Sequence, residues 1–425
     1  MTDPLVLFRA VHIVATVLAC GTVAFAVLVA EPAARRAGNV SIGGLRRRFN
    51  TMVWCALIIA VVAEAAWLIW LSADIYGAPV LVVCLHGGVW TVLTDTRFGL
   101  VSTIRLGLAA VLAVLIIWPA ARLLQLLAAA GLIGLLALVG HAGATPGLAG
   151  NIHLASDVVH LLAAGGWLGG LPALTLVFAR ARRTDDAGWG KLAVDVTRRF
   201  SWLGIICVAA LPVTGIVNSW NLLNGPRDLI ATNYGRLILM KIGLFVAMLG
   251  IAAANRFHFT PQLPSARALH ALQRNSLAET GIGLVVLLLV GALGTLSPSG
   301  HAHSTNADVP PDAAFVHIHT SEAMAEVTIT PGRIGEANAH IRVLRDDFSE
   351  YPTRSVELRL EPPAGGRKIA RAAARLPDGT WEVNGLELPQ PGVWTVRVVI
   401  PGDNGAPIVL DAPIVIEPGK AAPNS

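Results

Sequence analysis

The 425-residue chain is 54% hydrophobic and only 14% charged, with a mean hydropathy of +0.62, whereas soluble domains carry about a quarter charged residues. That composition excludes a wholly soluble protein and points to a multi-pass membrane protein. The net charge of +5 comes from Arg and Lys in short loops between apolar runs, the topogenic pattern, so it indicates a lipid bilayer and no nucleic-acid partner.

The amino terminus, MTDPLVLFR, lacks a basic n-region, and the apolar run 5–30 is too long for a signal h-region. It reads as a retained span. Runs near the 20 apolar residues needed to cross a bilayer follow at 51–72, 101–118, 122–140, 152–179, 200–220, 236–255 and 277–296, making eight. A ninth candidate, 78–94, is short, is interrupted by Gly87-Gly88 and carries His86. Charge decides between eight and nine. The loop 31–50 holds Arg35, Arg36, Arg46, Arg47 and Arg48, and 180–199 holds six basic residues, with Arg256, Arg267 and Arg274 in 256–275. Basic loops stay cytoplasmic, and only eight spans keep all three there. The expectation is that both termini are extracytoplasmic and that 78–94 is an interfacial or re-entrant piece on the outer face.

From Ser299 onward the pattern changes to short alternating runs such as Ala325-Glu326-Val327-Thr328-Ile329 and Trp394-Thr395-Val396-Arg397-Val398, separated by Pro-Gly turns. Period-two alternation marks half-buried strands. About seven of them predict an immunoglobulin-like sandwich. The fold expected is therefore an all-α polytopic membrane domain of eight transmembrane helices at 1–298, followed by a soluble all-β domain at 299–425. No internal repeat is evident. Cys20, Cys55, Cys84 and Cys207 are scattered without CxxC spacing, so neither a disulfide framework nor a thiolate metal site is signalled.

Ten of the twelve histidines fall on the predicted outer side; only His258 and His270 are cytoplasmic. His141, His153 and His160 sit at the outer ends of the fourth and fifth spans, with His12 two turns into the first. On one helix His153, Asp157 and His160 share a face. The two imidazoles are about 10.5 Å apart along the axis, too far to bind one ion together, so Asp157 is expected to orient one imidazole while each pairs with a ligand from another span, His12 and His141 being candidates. The same groups also suit polar anchors at the interface. His301-Ala302-His303 and His317-Ile318-His319 each place two imidazoles on one side of an extended chain, a geometry suited to Cu(II) or Zn(II), and Met324 offers a soft thioether. Against this stands a hydrophilic linker with incidental histidines.

Glu64, Glu279, Lys241, Asn218 and Asn255 are polar groups within spans. They fit a cation or proton path, or packing in which the carboxylates pair with Lys241 or Arg236. The tryptophans near span ends form an ordinary aromatic belt. With five methionines in the chain, coordination by histidine is favoured over a methionine ladder. No nucleophile–base arrangement, P-loop or dinucleotide fingerprint is present, so the chain reads as a non-enzyme.

Several pieces, in order, resemble the bacterial copper resistance D (CopD/PcoD) family. They are His12, Thr96-Arg97-Phe98-Gly99 leading to Arg105, Gly140-His141-Ala142, and Asp157-x-x-His160 with Gly166-Trp167-Leu168-Gly169-Gly170-Leu171. Arg199-Phe200-Ser201, Thr214-Gly215 and Tyr234-Gly235-Arg236 with Lys241 complete the set. The resemblance covers most of 1–296, and the β domain loosely resembles a periplasmic copper carrier. It implies an inner-membrane protein of copper uptake or tolerance, with copper ions received by the outer histidines and a periplasmic copper carrier as a possible partner. His12, His86, His141, His153, Asp157, His160, His301, His303, His317, His319 and Met324 are the candidate metal residues. Two other readings stay open: a membrane haem or redox protein with histidine axial ligands, and a non-transporting assembly or sensing factor for a copper enzyme.

Overall fold

Apolar runs in lipid must satisfy their backbone polar groups internally, so each becomes a helix. Among the described residues, eight helices are long and apolar enough to cross a membrane: α1 (Pro4–Arg36), α2 (Gly43–Ile75), α3 (Phe98–Ile117), α4 (Arg122–Val139), α5 (Gly150–Ala181), α6 (Ala187–Trp220), α7 (Asn233–Gln262) and α8 (Ala266–Leu293). The protein is thus an integral membrane protein. This computed structural model describes residues 4–38, 40–76, 79–85, 87–118, 120–139, 147–184, 186–223, 225–294, 310, 312–320, 323–345, 350–363, 367–402 and 407–419. The chain divides into two compact units, Met1–His303 and Ser304–Ser425.

Short connections join α1 to α2, α3 to α4, α5 to α6 and α7 to α8, so these pairs run antiparallel and their turns share one end of the bundle. The chain starts at the opposite end, called the starting end below. The segment at 78–94 supplies no ninth span. It forms two short helices, Val80–Leu85 and Gly88–Asp95, and Gly87 before the second adopts φ 78°, where glycine is favoured.

Two helices begin on the same device. Thr96 Oγ1 accepts from Gly99 N at 3.0 Å, and Thr232 Oγ1 accepts from Gly235 N at 2.9 Å. Each satisfies an otherwise orphaned amide at the helix start. The largest core of the bundle gathers Phe25 of α1, Trp167, Leu171 and Phe178 of α5, Phe200 of α6 and Met248 of α7. Large apolar side chains such as Ile206, Val213 and Ile216 of α6 point outward, as they must where lipid is the solvent.

Among the described residues the second unit holds nine strands: β1 (Ala314–His319), β2 (Met324–Thr330), β3 (Gly335–Leu344), β4 (Glu357–Glu361), β5 (Ile369–Ala372), β6 (Ala374–Arg375), β7 (Trp381–Leu388), β8 (Gly392–Pro401) and β9 (Pro407–Ile416). They form a five-stranded sheet, β1-β2-β3-β7-β6, and a four-stranded sheet, β5-β4-β8-β9, with antiparallel ladders and no closed barrel. The expected alternation is present. Ala325, Val327 and Ile329 of β2 pack with Trp394, Val396 and Val398 of β8 in one shared core. The strand number exceeds the expected seven because β5 and β6 are too short to be seen by alternation.

Candidate functional site

Two polar centres lie inside the bundle towards the starting end. In the first, His12 sits eight residues after Pro4, about 12 Å along α1 at 1.5 Å per residue. Its Nδ1–H donates to the Ala60 carbonyl of α2 at 2.9 Å. That bond leaves the Nε2 lone pair to accept from Arg105 of α3 and from Thr16 Oγ1 at 3.2 Å. Thr16 stands one turn from His12 on the same face. Glu64, one turn from Ala60, places Oε2 3.2 Å from both Arg105 Nη2 and His12 Nδ1. His12, Glu64 and Arg105 are 5%, 1% and 2% exposed. A cavity of about 20 Å³ beside them is lined by His12, Thr16, Glu64 and Arg105, room for a single water.

The second centre is built on α5, α6 and α7. His160 Nδ1 lies 2.9 Å from Thr214 Oγ1, and its Nε2 lies 3.5 Å from Lys241 Nζ. Asp157 Oδ1 accepts from Asn218 Nδ2 at 3.0 Å, while Ser156 Oγ donates to the Thr214 carbonyl at 3.2 Å. His160, Asp157 and Lys241 are half-buried, in contrast to the sealed first centre. Arg9 of α1 interacts electrostatically with Arg105 and Asp157, one residue of each centre, and with Tyr234. Its Nη1 donates to the Gly294 carbonyl at 2.7 Å, and its guanidinium lies 5.6 Å over the Trp67 ring.

The expected residues divide as follows. His153 is on α5, 2% exposed, on the face it shares with Asp157 and His160. His12 is engaged by Glu64 and Arg105. Asp157 Oδ1 accepts from Asn218 on the facing helix, and His160 Nδ1 faces the Thr214 hydroxyl. Glu64 pairs with Arg105 and not with Lys241 or Arg236. Glu279 of α8 accepts from Asn255 Nδ2 at 3.2 Å, and Asn275 donates to Asn255 Oδ1 at 2.7 Å, forming a polar network nearer the other end. His86, His141, His301 and His303 lie outside the described residues.

In the β unit, the backbone register pairs His317 with Glu326 and His319 with Met324 across β1 and β2. His317 Nδ1 lies 3.5 Å from Glu326 Oε1, and Arg342 Nη1 lies 3.3 Å from Glu326 Oε2. Met324 is 1% exposed. The His319 side chain is outside the described residues. Among the described residues, no group of three or more His, Cys, Asp or Glu is close enough to hold one metal ion.

Arg9, Arg105, Lys241 and Thr214 are the parts that histidine counting misses. The signal for two of them was present, since Arg105 and Lys241 each lie six residues beyond the glycine of a Thr-x-aromatic-Gly segment.

Comparison with known proteins places these residues in context. The family model described as Copper resistance protein D-like, N-terminal domain, matches residues 1–151, and that described as Copper resistance protein D matches 194–293. Inner membrane protein YebZ of Escherichia coli (strain K12) is 33% identical over 216 residues, covering 49% of this chain and 72% of that protein. Copper resistance protein D of Pseudomonas syringae pv. tomato is 31% identical over 223 residues, covering 49% and 71%. Copper transport protein CutJ of Bacillus subtilis (strain 168) is 28% identical over 232 residues, covering 53% of this chain and 39% of that protein.

Proposed function

Since the chain belongs to the copper resistance protein D family, we propose that it is an inner-membrane protein that takes up or transports copper, receiving the ion at the starting end of its bundle. His160 and Asp157 are the first ligands inside the membrane, with His153 preceding them on the same face of α5. The observation that carries this reading is the second centre. It presents an imidazole Nε2 and a carboxylate half-buried among three helices, where ionisable groups are expensive and mark ion pathways. The starting end faces the periplasm, because Arg35, Arg36, Arg46, Arg47 and Arg48, which flank the turn at 37–42, and Arg180, Arg182 and Arg183, at the turn 182–186, belong on the cytoplasmic side. Both termini, and the β unit with His317, His319 and Met324, then share the periplasmic side, where a carrier can hand over copper.

The test is copper content and copper-dependent growth of cells carrying His153→Ala with His160→Ala, alongside uptake into vesicles containing the purified protein. Loss of uptake with retained membrane insertion is the expected result. Unchanged copper content and growth would refute the proposal. Reporter fusions that put 180–199 in the periplasm would refute its orientation.

A further inference from the structure

The two polar centres are built alike, and the likeness extends through the bundle. His12 lies on the first span and His160 on the fifth, and Gly21 and Gly169 follow each by nine residues. Those two glycines touch. A Cβ added to Gly21 would meet the Gly165 carbonyl and Gly169 Cα, and one added to Gly169 would meet the Val17 carbonyl and Gly21 Cα. Val17 stands to His12 as Gly165 stands to His160, so the contact is reciprocal, the signature of a two-fold axis. Here the axis runs along the bundle between α1 and α5, and relates spans that enter from the same end.

The neighbouring spans obey the same relation. Arg47-Arg48-Phe49 on α2 corresponds to Arg198-Arg199-Phe200 on α6. In that alignment Ala60 corresponds to Leu211, and these supply the backbone contacts to His12 and His160 respectively. Thr96-x-Phe98-Gly99 precedes Arg105 by the spacing with which Thr232-x-Tyr234-Gly235 precedes Lys241, and Gly107 and Gly243 follow two residues later. Both threonines cap their helices identically, and both basic side chains reach the Nε2 of the histidine in their own half. After the π-helical turn Ala26–Ala30 in α1, which adds a residue, the alignment slips by one. Ala34-Arg35-Arg36 then matches Ala181-Arg182-Arg183.

The halves differ at the ligands. The position of Glu64 is Gly215 in the second half, and the position of Arg9 is Asp157. The first centre therefore holds its carboxylate and its guanidinium together, with Arg105 bound to both His12 and Glu64. In the second, Lys241 makes one long contact with His160, and the carboxylate is held by Asn218 instead.

We propose that the membrane domain is a tandem duplication of one four-helix unit whose two imidazole centres are equivalent cation positions. The first is permanently filled by the chain's own Arg105; the second is left open to a copper ion that displaces the Lys241 side chain. The second half of this statement rests on the copper reading above. A guanidinium fork satisfies an imidazole and a carboxylate at once, whereas an ammonium on a flexible stem is a point charge that swings aside. His12 is thus a structural residue and His160 a ligand, although sequence spacing ranks them equally.

The test uses the full-length protein in detergent, loaded in parallel with copper(I) under ascorbate and with copper(II). His160→Ala should lose one copper equivalent and the copper-induced rise in Tm, while His12→Ala should keep that equivalent and lower Tm of the copper-free protein. Arg105→Gln should add an equivalent that His12→Ala removes. Should Arg105→Gln not fold, Lys241→Arg is the decisive variant: it should lose the His160-dependent equivalent without lowering Tm of the copper-free protein. Equal dependence of bound copper on His12 and His160, or full copper binding by Lys241→Arg, overturns the inference and leaves the copper reading standing. Copper content indifferent to His160 overturns that reading and the assignment of the second centre together.

Discussion

Replacing Arg105 by Met tests the energetics of the first centre directly. Met keeps most of the stem but removes the guanidinium that faces Glu64 Oε2 at 3.2 Å and the His12 Nε2. Glu64 and Arg105 are 1% and 2% exposed, so little solvent can replace the lost cation. Removing one partner of a buried ion pair costs roughly 3–5 kcal/mol, because the other charge stays behind uncompensated. The hydrogen bond to His12 is lost with it, and the two losses are not additive because they share one side chain. The assay is the unfolding free energy of the purified protein in mixed micelles titrated with SDS. Adding Glu64→Leu to Arg105→Met should recover most of the loss, since replacing both charges with apolar groups of similar volume is often neutral. A loss under about 1 kcal/mol for Arg105→Met, or no recovery in the double variant, would refute the reasoning.

Other consequences follow from particular positions. Gly169→Ala should destabilise by about 1–3 kcal/mol in the same assay, because its Cβ would lie 2.9 Å from Gly21 Cα. Gly243→Ala, where a Cβ meets nothing within 4 Å, should be neutral or gain up to about 1 kcal/mol from helix propensity. Trp394 is fully buried and its indole N–H donates to the Gln390 carbonyl at 3.0 Å. Trp394→Ala should cost the β unit about 3–5 kcal/mol, read as a lowered β-sheet transition by circular dichroism. In the β6–β7 turn, hydrogen bonds from the Thr380 hydroxyl and amide hold the Asp378 carboxyl below its ordinary range. A lowered carboxylate stabilises above its unfolded pKa and loses that effect as pH falls through the folded one. Protection of the Thr380 amide from hydrogen exchange should therefore fall on acidification, and Asp378→Asn should remove the dependence.

Span number, the two-part architecture and the family pieces were legible in the sequence because each is a local property. Twenty apolar residues must be helical in lipid, alternating residues must lie on opposite faces of a strand, and TRFG, GWLGGL and YGR are read without knowing what they touch. That 78–94 would not make a ninth span was legible for the same reason, since Gly87-Gly88 interrupts the run, whereas its two short helices were not expected. Which polar groups meet was decided only by the tertiary structure. His12 and His160 carry the same signal, an imidazole inside a span, yet one is enclosed by a carboxylate and a guanidinium from α2 and α3, and the other faces a hydroxyl and a lysine. Asp157 shares a helix face with His160, but Asn218, sixty-one residues away, takes its oxygen. The duplication stayed hidden because its halves keep few identical residues. It emerges where Gly21 and Gly169 meet, since backbones can approach that closely only where both helices lack a Cβ.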